Sequence, residues 1–139
     1  MMGDAQRLGP AILLVALVVL SACSQAKERA PLKLPPALRP DPVHEVTAEL
    51  VDGVQVVRLG FGRLNYDPSV IRVKAGIPVR IVADSERLSG CFRSLVIPGL
   101  GVSAVITEES NVIEFTPQSP GEFGFACSMG MGSGTVVVE

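Results

Sequence analysis

A single histidine, His44, a single tyrosine, Tyr66, and no tryptophan occur in the 139 residues. One imidazole rules out every metal site that needs two from one chain. It also leaves no nucleophile with a histidine base, and neither a Gly-x-Ser-x-Gly elbow nor a phosphate-cradling loop is present, so the chain is not expected to be an enzyme. Basic excess is missing as well. With 12 Lys and Arg against 14 Asp and Glu, and few rings to stack on bases, nucleic acid is not an expected partner. No stretch carries a sustained helical stripe, and no internal repeat occurs. Hydrophobic residues make up 47% of a chain about one domain long, which is enough for a core and excludes wholesale disorder.

The N-terminus carries targeting information. Arg7 precedes an unbroken apolar run, Ala11 to Leu20. A membrane-spanning helix needs about 20 apolar residues, so this shorter run fits the core of a secretory signal peptide over 1–22. Leu20-Ser21-Ala22-Cys23 resembles the lipobox of bacterial lipoproteins, which makes Cys23 the lipid attachment site and the first mature residue. An ordinary signal peptide with an incidental cysteine is the alternative. Acyl chains at Cys23 would hold the mature protein on a membrane outside the cytoplasm. Residues 23–45 then read as a tether, with Pro31, Pro35, Pro36, Pro40 and Pro42 favouring an extended, semi-rigid spacer. His44 falls at its end and reads as a solvated linker residue.

Residues 46–139 read as an all-β domain. Alternating or apolar runs at 54–59, 70–74, 79–83, 92–97, 102–106, 111–116, 121–127 and 135–139 are separated by turn signals such as Asp67-Pro68 and Ala75-Gly76. Short strands at this spacing predict an antiparallel sandwich or barrel. Cys91 precedes the run at 92 and Cys127 closes the run at 127, with four strands counted from one to the other. If every connection reverses direction, an even number of strands returns the chain to the end it left, so both cysteines fall at one pole. Parity alone does not make their strands neighbours.

The chemistry concentrates in Cys127-Ser128-Met129-Gly130-Met131-Gly132-Ser133-Gly134. Glycines let such a loop turn tightly enough for side chains to converge. Thiolates and thioethers are soft donors that suit Cu(I) and serve Mg²⁺, Ca²⁺ or Mn²⁺ poorly. Cys91 would add a second thiolate. Structural zinc usually takes four Cys or His ligands and iron–sulfur clusters four cysteines, more than are in reach.

Pro68-Ser69-Val70-Ile71-Arg72-Val73-Lys74-Ala75-Gly76 and Pro120-Gly121-Glu122-Phe123-Gly124-Phe125-Ala126-Cys127 resemble the cupredoxin family over roughly residues 54–139. The resemblance implies a Greek-key β-sandwich with copper at one end. Electron-transfer members place one His before the fourth strand and another between the Cys and the axial Met. Here Cys91 stands at the first position, and Met129 and Met131 follow Cys127 with no imidazole. That pattern is similar to the membrane-anchored cupredoxin-fold Cu(I) chaperones of copper-exporting P-type ATPases. By that likeness Cys91 and Cys127 form a tight site, Met129 and Met131 a weaker and faster one, and such an ATPase or another copper protein is a candidate partner.

Two alternatives stand beside this lipid-anchored copper chaperone or buffer. One is an electron-transfer cupredoxin with atypical ligands. The other is a metal-free interaction module stapled by a Cys91–Cys127 disulfide, worth roughly 3–4 kcal/mol on chain-entropy grounds, though a disulfide explains neither methionine. Phe123 and Phe125 are expected in the core on the face of Cys127. Glu108 and Glu109 are expected on a solvated turn. Asp84, Glu86, Arg87 and Arg93 are expected at the surface around Cys91, with Arg93 available for a docking contact.

Overall fold

Alternation of apolar and polar side chains builds two sheets whose inner faces meet. The protein is seen here as a computed structural model that describes Pro35 and residues 39–139. The expected signal peptide, Cys23 and most of the tether lie outside the described residues. Eleven strands follow: β1 (Glu45–Thr47), β2 (Glu49–Val51), β3 (Val54–Phe61), β4 (Tyr66–Asp67), β5 (Val70–Val73), β6 (Val79–Ala83), β7 (Ser94–Ile97), β8 (Val102–Val105), β9 (Val112–Phe115), β10 (Gly121–Cys127) and β11 (Ser133–Val138). One sheet has the order β1-β5-β11-β10-β7-β8. The other runs β2-β3-β6-β9, with β4 paired to β3. Every second residue faces inward. Val57 and Leu59 of β3, Ile71 and Val73 of β5, Val79 and Ile81 of β6, and Val136 and Val138 of β11 are all buried.

The pairing is mixed, where a purely antiparallel sandwich was expected. β1 with β5, β5 with β11, and β3 with β6 run parallel. The cause is the crossing of the chain between sheets, as at β5 to β6 and again on either side of β9, which makes strands neighbours after they have turned back to the same direction. The strand expected from residue 92 is also shorter. Gly90–Arg93 forms a 3₁₀ turn, and β7 begins only at Ser94. Gly90 takes φ +57, a left-handed conformation that glycine adopts at little cost.

The end of the expected tether packs against the strands. Asp41 Oδ2 accepts hydrogen bonds from the backbone N–H groups of Leu64 (2.7 Å) and Asn65 (3.1 Å). His44 keeps an exposed ring, yet its Nδ1 lies 2.5 Å from Asp67 Oδ1 and its carbonyl accepts from Ser69 N and Val70 N. Ala48, between β1 and β2, bonds across to Arg72 O, so one extended stretch edges both sheets.

Gln55 is the buried polar side chain that ties the β5–β6 turn. Its Oε1 accepts from Lys74 N (2.6 Å), and its Nε2 donates to Lys74 O (3.0 Å) and Ile77 O (3.1 Å). Gln55→Leu would leave these turn groups unpaired away from water. The expected result is a loss of about 2 kcal/mol in unfolding free energy, checked by urea denaturation with the m-value unchanged.

Candidate metal centre

Two segments far apart in sequence bring the cysteines together. Cys127 closes β10 opposite Leu95 of β7, an antiparallel pairing that makes the two strands neighbours as well as returning them to one pole. Cys91 sits four residues earlier, in the 3₁₀ turn, with its carbonyl capped by Ser94 N–H. The Cys91 and Cys127 Sγ atoms are 3.3 Å apart, both cysteines are free, and the Cys91 thiol is placed to donate to Cys127. Cys127 is buried and Cys91 half-buried.

The loop after Cys127 closes on itself through backbone bonds. Gly130 N donates to Cys127 O (2.9 Å), and Cys127 N donates to Gly132 O (3.0 Å). Met131 N points at Cys127 Sγ from 3.2 Å. Gly130 has φ +71, and a Cβ on Gly132 would run into the Phe92 ring, so glycine is required at both positions for different reasons. The side chains of Met129 and Met131 are 71% and 65% exposed, which makes them a rim rather than core filler.

These contacts divide the protons unequally between the thiols. Burial alone would raise the Cys127 pKa. N–H donation around Gly132, the Cys91 thiol and the amides near Met131 and Met129 outweigh it and bring Cys127 down to about 7. Cys91 moves up, chiefly because its proton is shared with Cys127 and also through desolvation and the neighbouring negative charge. The pair therefore holds one proton readily and the other loosely.

An aromatic layer lies under the thiols. The Phe92 ring meets Phe61 edge-on at 4.6 Å and Tyr66 at 5.2 Å, and Tyr66 meets Phe125 at 5.5 Å. The buried Tyr66 hydroxyl donates to Phe92 O (3.0 Å), and burial, followed by the nearby Cys127 and Cys91, pushes its pKa up. Asn65 bridges to the far end of the Cys127 loop, donating from Nδ2 to Ser133 O (2.8 Å) and accepting at Oδ1 from Ser133 N (2.9 Å). Composition marks Tyr66 only by its singularity, and Asn65 reads only as a turn residue. Their adjacency in Asn65-Tyr66-Asp67-Pro68 is the one sequence signal of a structured turn.

Of the flanking residues, Arg93 is not a free surface contact. Its guanidinium braces the 84–93 loop, donating to Leu88 O (2.9 Å) and Ser85 O (3.0 Å), because the fully buried Leu88 draws that loop inward. Asp84 and Glu86 are exposed, and Arg87 donates to Phe61 O (3.0 Å). Phe125 is buried and Phe123 packs partly against the core, as expected. Glu108 and Glu109 lie exposed in the turn closed by Thr107 and Ser110. A surface groove of about 950 Å³, lined by His44, Glu49, Arg58, Asp84 and Arg87 among others, holds neither cysteine. Among the described residues no three His, Cys, Asp or Glu side chains cluster as metal ligands.

A two-sheet Greek-key sandwich carrying a strand-end cysteine and a glycine-rich loop at one pole defines a cupredoxin. The chain belongs to that family: the model of the cupredoxin-like domain matches residues 10–138. Among solved structures it is similar to the metal-binding domain of the Streptococcus pneumoniae D39 Cu(I)-exporting P-type ATPase CopA, solved with Cu(I). There the identity is 30%, coverage 71% of this chain and 99% of that one, and the TM-score 0.62. It is also similar to a copper-binding protein solved in its apo form, at 36% identity, 69% and 98% coverage and a TM-score of 0.62. Among curated proteins the chain finds no match.

Proposed function

We propose that this chain is a lipid-anchored, extracytoplasmic Cu(I)-binding protein that carries or buffers copper in copper homeostasis. The observation that carries this reading is the 3.3 Å thiol pair, one member poised to ionise near pH 7, beside a loop that exposes two thioethers. Two thiolates with thioethers favour the monovalent ion. Both structural relatives are copper proteins, one of them a domain of a Cu(I)-exporting ATPase, which favours an exporting ATPase as a partner. The donor set fits copper as cargo. Cys91 and Cys127 would hold the ion tightly, while Met129 and Met131 offer neutral donors at the rim that bind and release without a proton. No residue set for bond chemistry is needed, because ligand exchange moves the cargo. Cys23 lipidation would keep this exchange at the membrane surface.

Anaerobic titration of the fully reduced protein with Cu(I), followed by intact mass and X-ray absorption, tests this. The expected result is a colourless complex with sulfur-only ligation. An intense visible band after Cu(II) addition would support electron transfer instead, and no copper uptake after full thiol reduction would leave a metal-free module.

A further inference from the structure

We infer that the consecutive residues Asn65 and Tyr66 are positioning residues that set the separation of the two thiols, by bonding to both thiol-bearing segments at once. This deepens the copper reading above and rests on it. The turn 90–93 and the loop 127–133 are joined to one another by the edge of the β7–β10 ladder and by the Ser128 N to Ser94 O bond (3.2 Å). A two-residue register at a strand end frays easily. Asn65 and Tyr66 supply a second link from the opposite sheet, since β4 pairs with β3. Asn65, in the bend just before β4, is half-buried and reaches the loop, while Tyr66, the first residue of β4, is buried and reaches inward. Asn65 grips both backbone groups of Ser133. Tyr66 bonds Phe92 O, the carbonyl of the residue after Cys91, and its ring contacts Phe92 and Phe125, neighbours of the two cysteines. The brace is itself held, because Asp41 caps Leu64 N and Asn65 N and Gly62 N bonds Asn65 O at 2.8 Å.

Ligand-bearing segments held this way lose less freedom when both sulfurs engage one ion, and loss of such supporting bonds typically weakens metal binding by about 10–100-fold. Tyr66→Phe keeps the ring packing and deletes one hydrogen bond. Asn65→Ala deletes the other link, and Asn65→Asp restores the acceptor for Ser133 N alone. Each protein is measured for thermal unfolding, for Cu(I) affinity by chelator competition and, without metal, for the equilibrium of Cys91–Cys127 disulfide formation against a glutathione redox buffer. Expected is about a tenfold loss in both affinity and disulfide equilibrium constant for Tyr66→Phe and Asn65→Ala, with Asn65→Asp between wild type and Asn65→Ala. Variants that lower only the melting temperature, leaving both constants within twofold of wild type, overturn the inference while the copper reading stands. Failure of the wild-type protein to bind Cu(I) overturns both.

Discussion

Cys127→Ala is expected to reduce Cu(I) affinity by two to three powers of ten, and Cys91→Ala by a similar factor. Thiolate and imidazole sites of four ligands bind with about 10–16 kcal/mol, so one ligand carries roughly 3 kcal/mol, more than a hundredfold in affinity. Met129→Ala should cost less, because its thioether is a neutral donor on an exposed, unbranched side chain whose rotamer freedom must be given up on binding. The ordering separates a metal site from a disulfide staple. A staple would lose stability with either cysteine and show no methionine dependence at all. Chelator competition measures the affinities, and circular dichroism shows whether each variant is folded. Equal affinities for wild type and Cys127→Ala would remove the thiol pair from the site.

Legibility followed burial. Strands whose inward residues are apolar, such as β6 with Val79, Ile81 and Ala83 or β10 with Phe125 and Cys127, show in the alternation. β1 and β2 do not. Val46 is half-buried, Leu50 and Val51 are 63% and 47% exposed, and these three-residue edges exist because β5 and β3 offer them backbone partners. No local pattern encodes a partner. β4 hides for the same reason, as its two residues, Tyr66 and Asp67, run straight into Pro68 and look like the turn they join. At the site, parity placed Cys91 and Cys127 at one pole, whereas their adjacency needed the β7–β10 pairing, which is tertiary. Phe92 and Arg93 read as strand by composition, but the backbone turns there, with the half-buried Phe92 ring packed edge-on against Phe61 and Tyr66. The support from Asn65 spans 68 positions to Ser133. Neither a period nor a motif reports a bond of that reach.

The thiol pair also predicts a steep pH dependence of copper affinity. Binding by two thiolates displaces whatever protons they carry. Above pH 7, Cys127 is largely ionised and Cys91, pushed above the ordinary thiol value, keeps its proton, so each ion bound releases one. Below about 7 both protons are present and both must leave. The logarithm of the affinity should therefore rise with slope 2 on the acid side of pH 7 and slope 1 on the alkaline side, a loss of about a thousandfold from pH 8 to 6. Metal-free stability responds with its own sign. For Cys127, whose folded pKa is depressed, stabilisation is complete above the unfolded thiol value and is lost as pH falls through about 7. For Cys91, whose folded pKa is raised, stability is instead lost as pH climbs beyond the unfolded value. The pair's contribution thus peaks near the ordinary thiol pKa, while copper affinity keeps rising past it. Competition titrations and denaturant midpoints from pH 5.5 to 9.5 distinguish the two curves, and a flat affinity profile across pH 7 would mean that the ion is held by the thioethers alone.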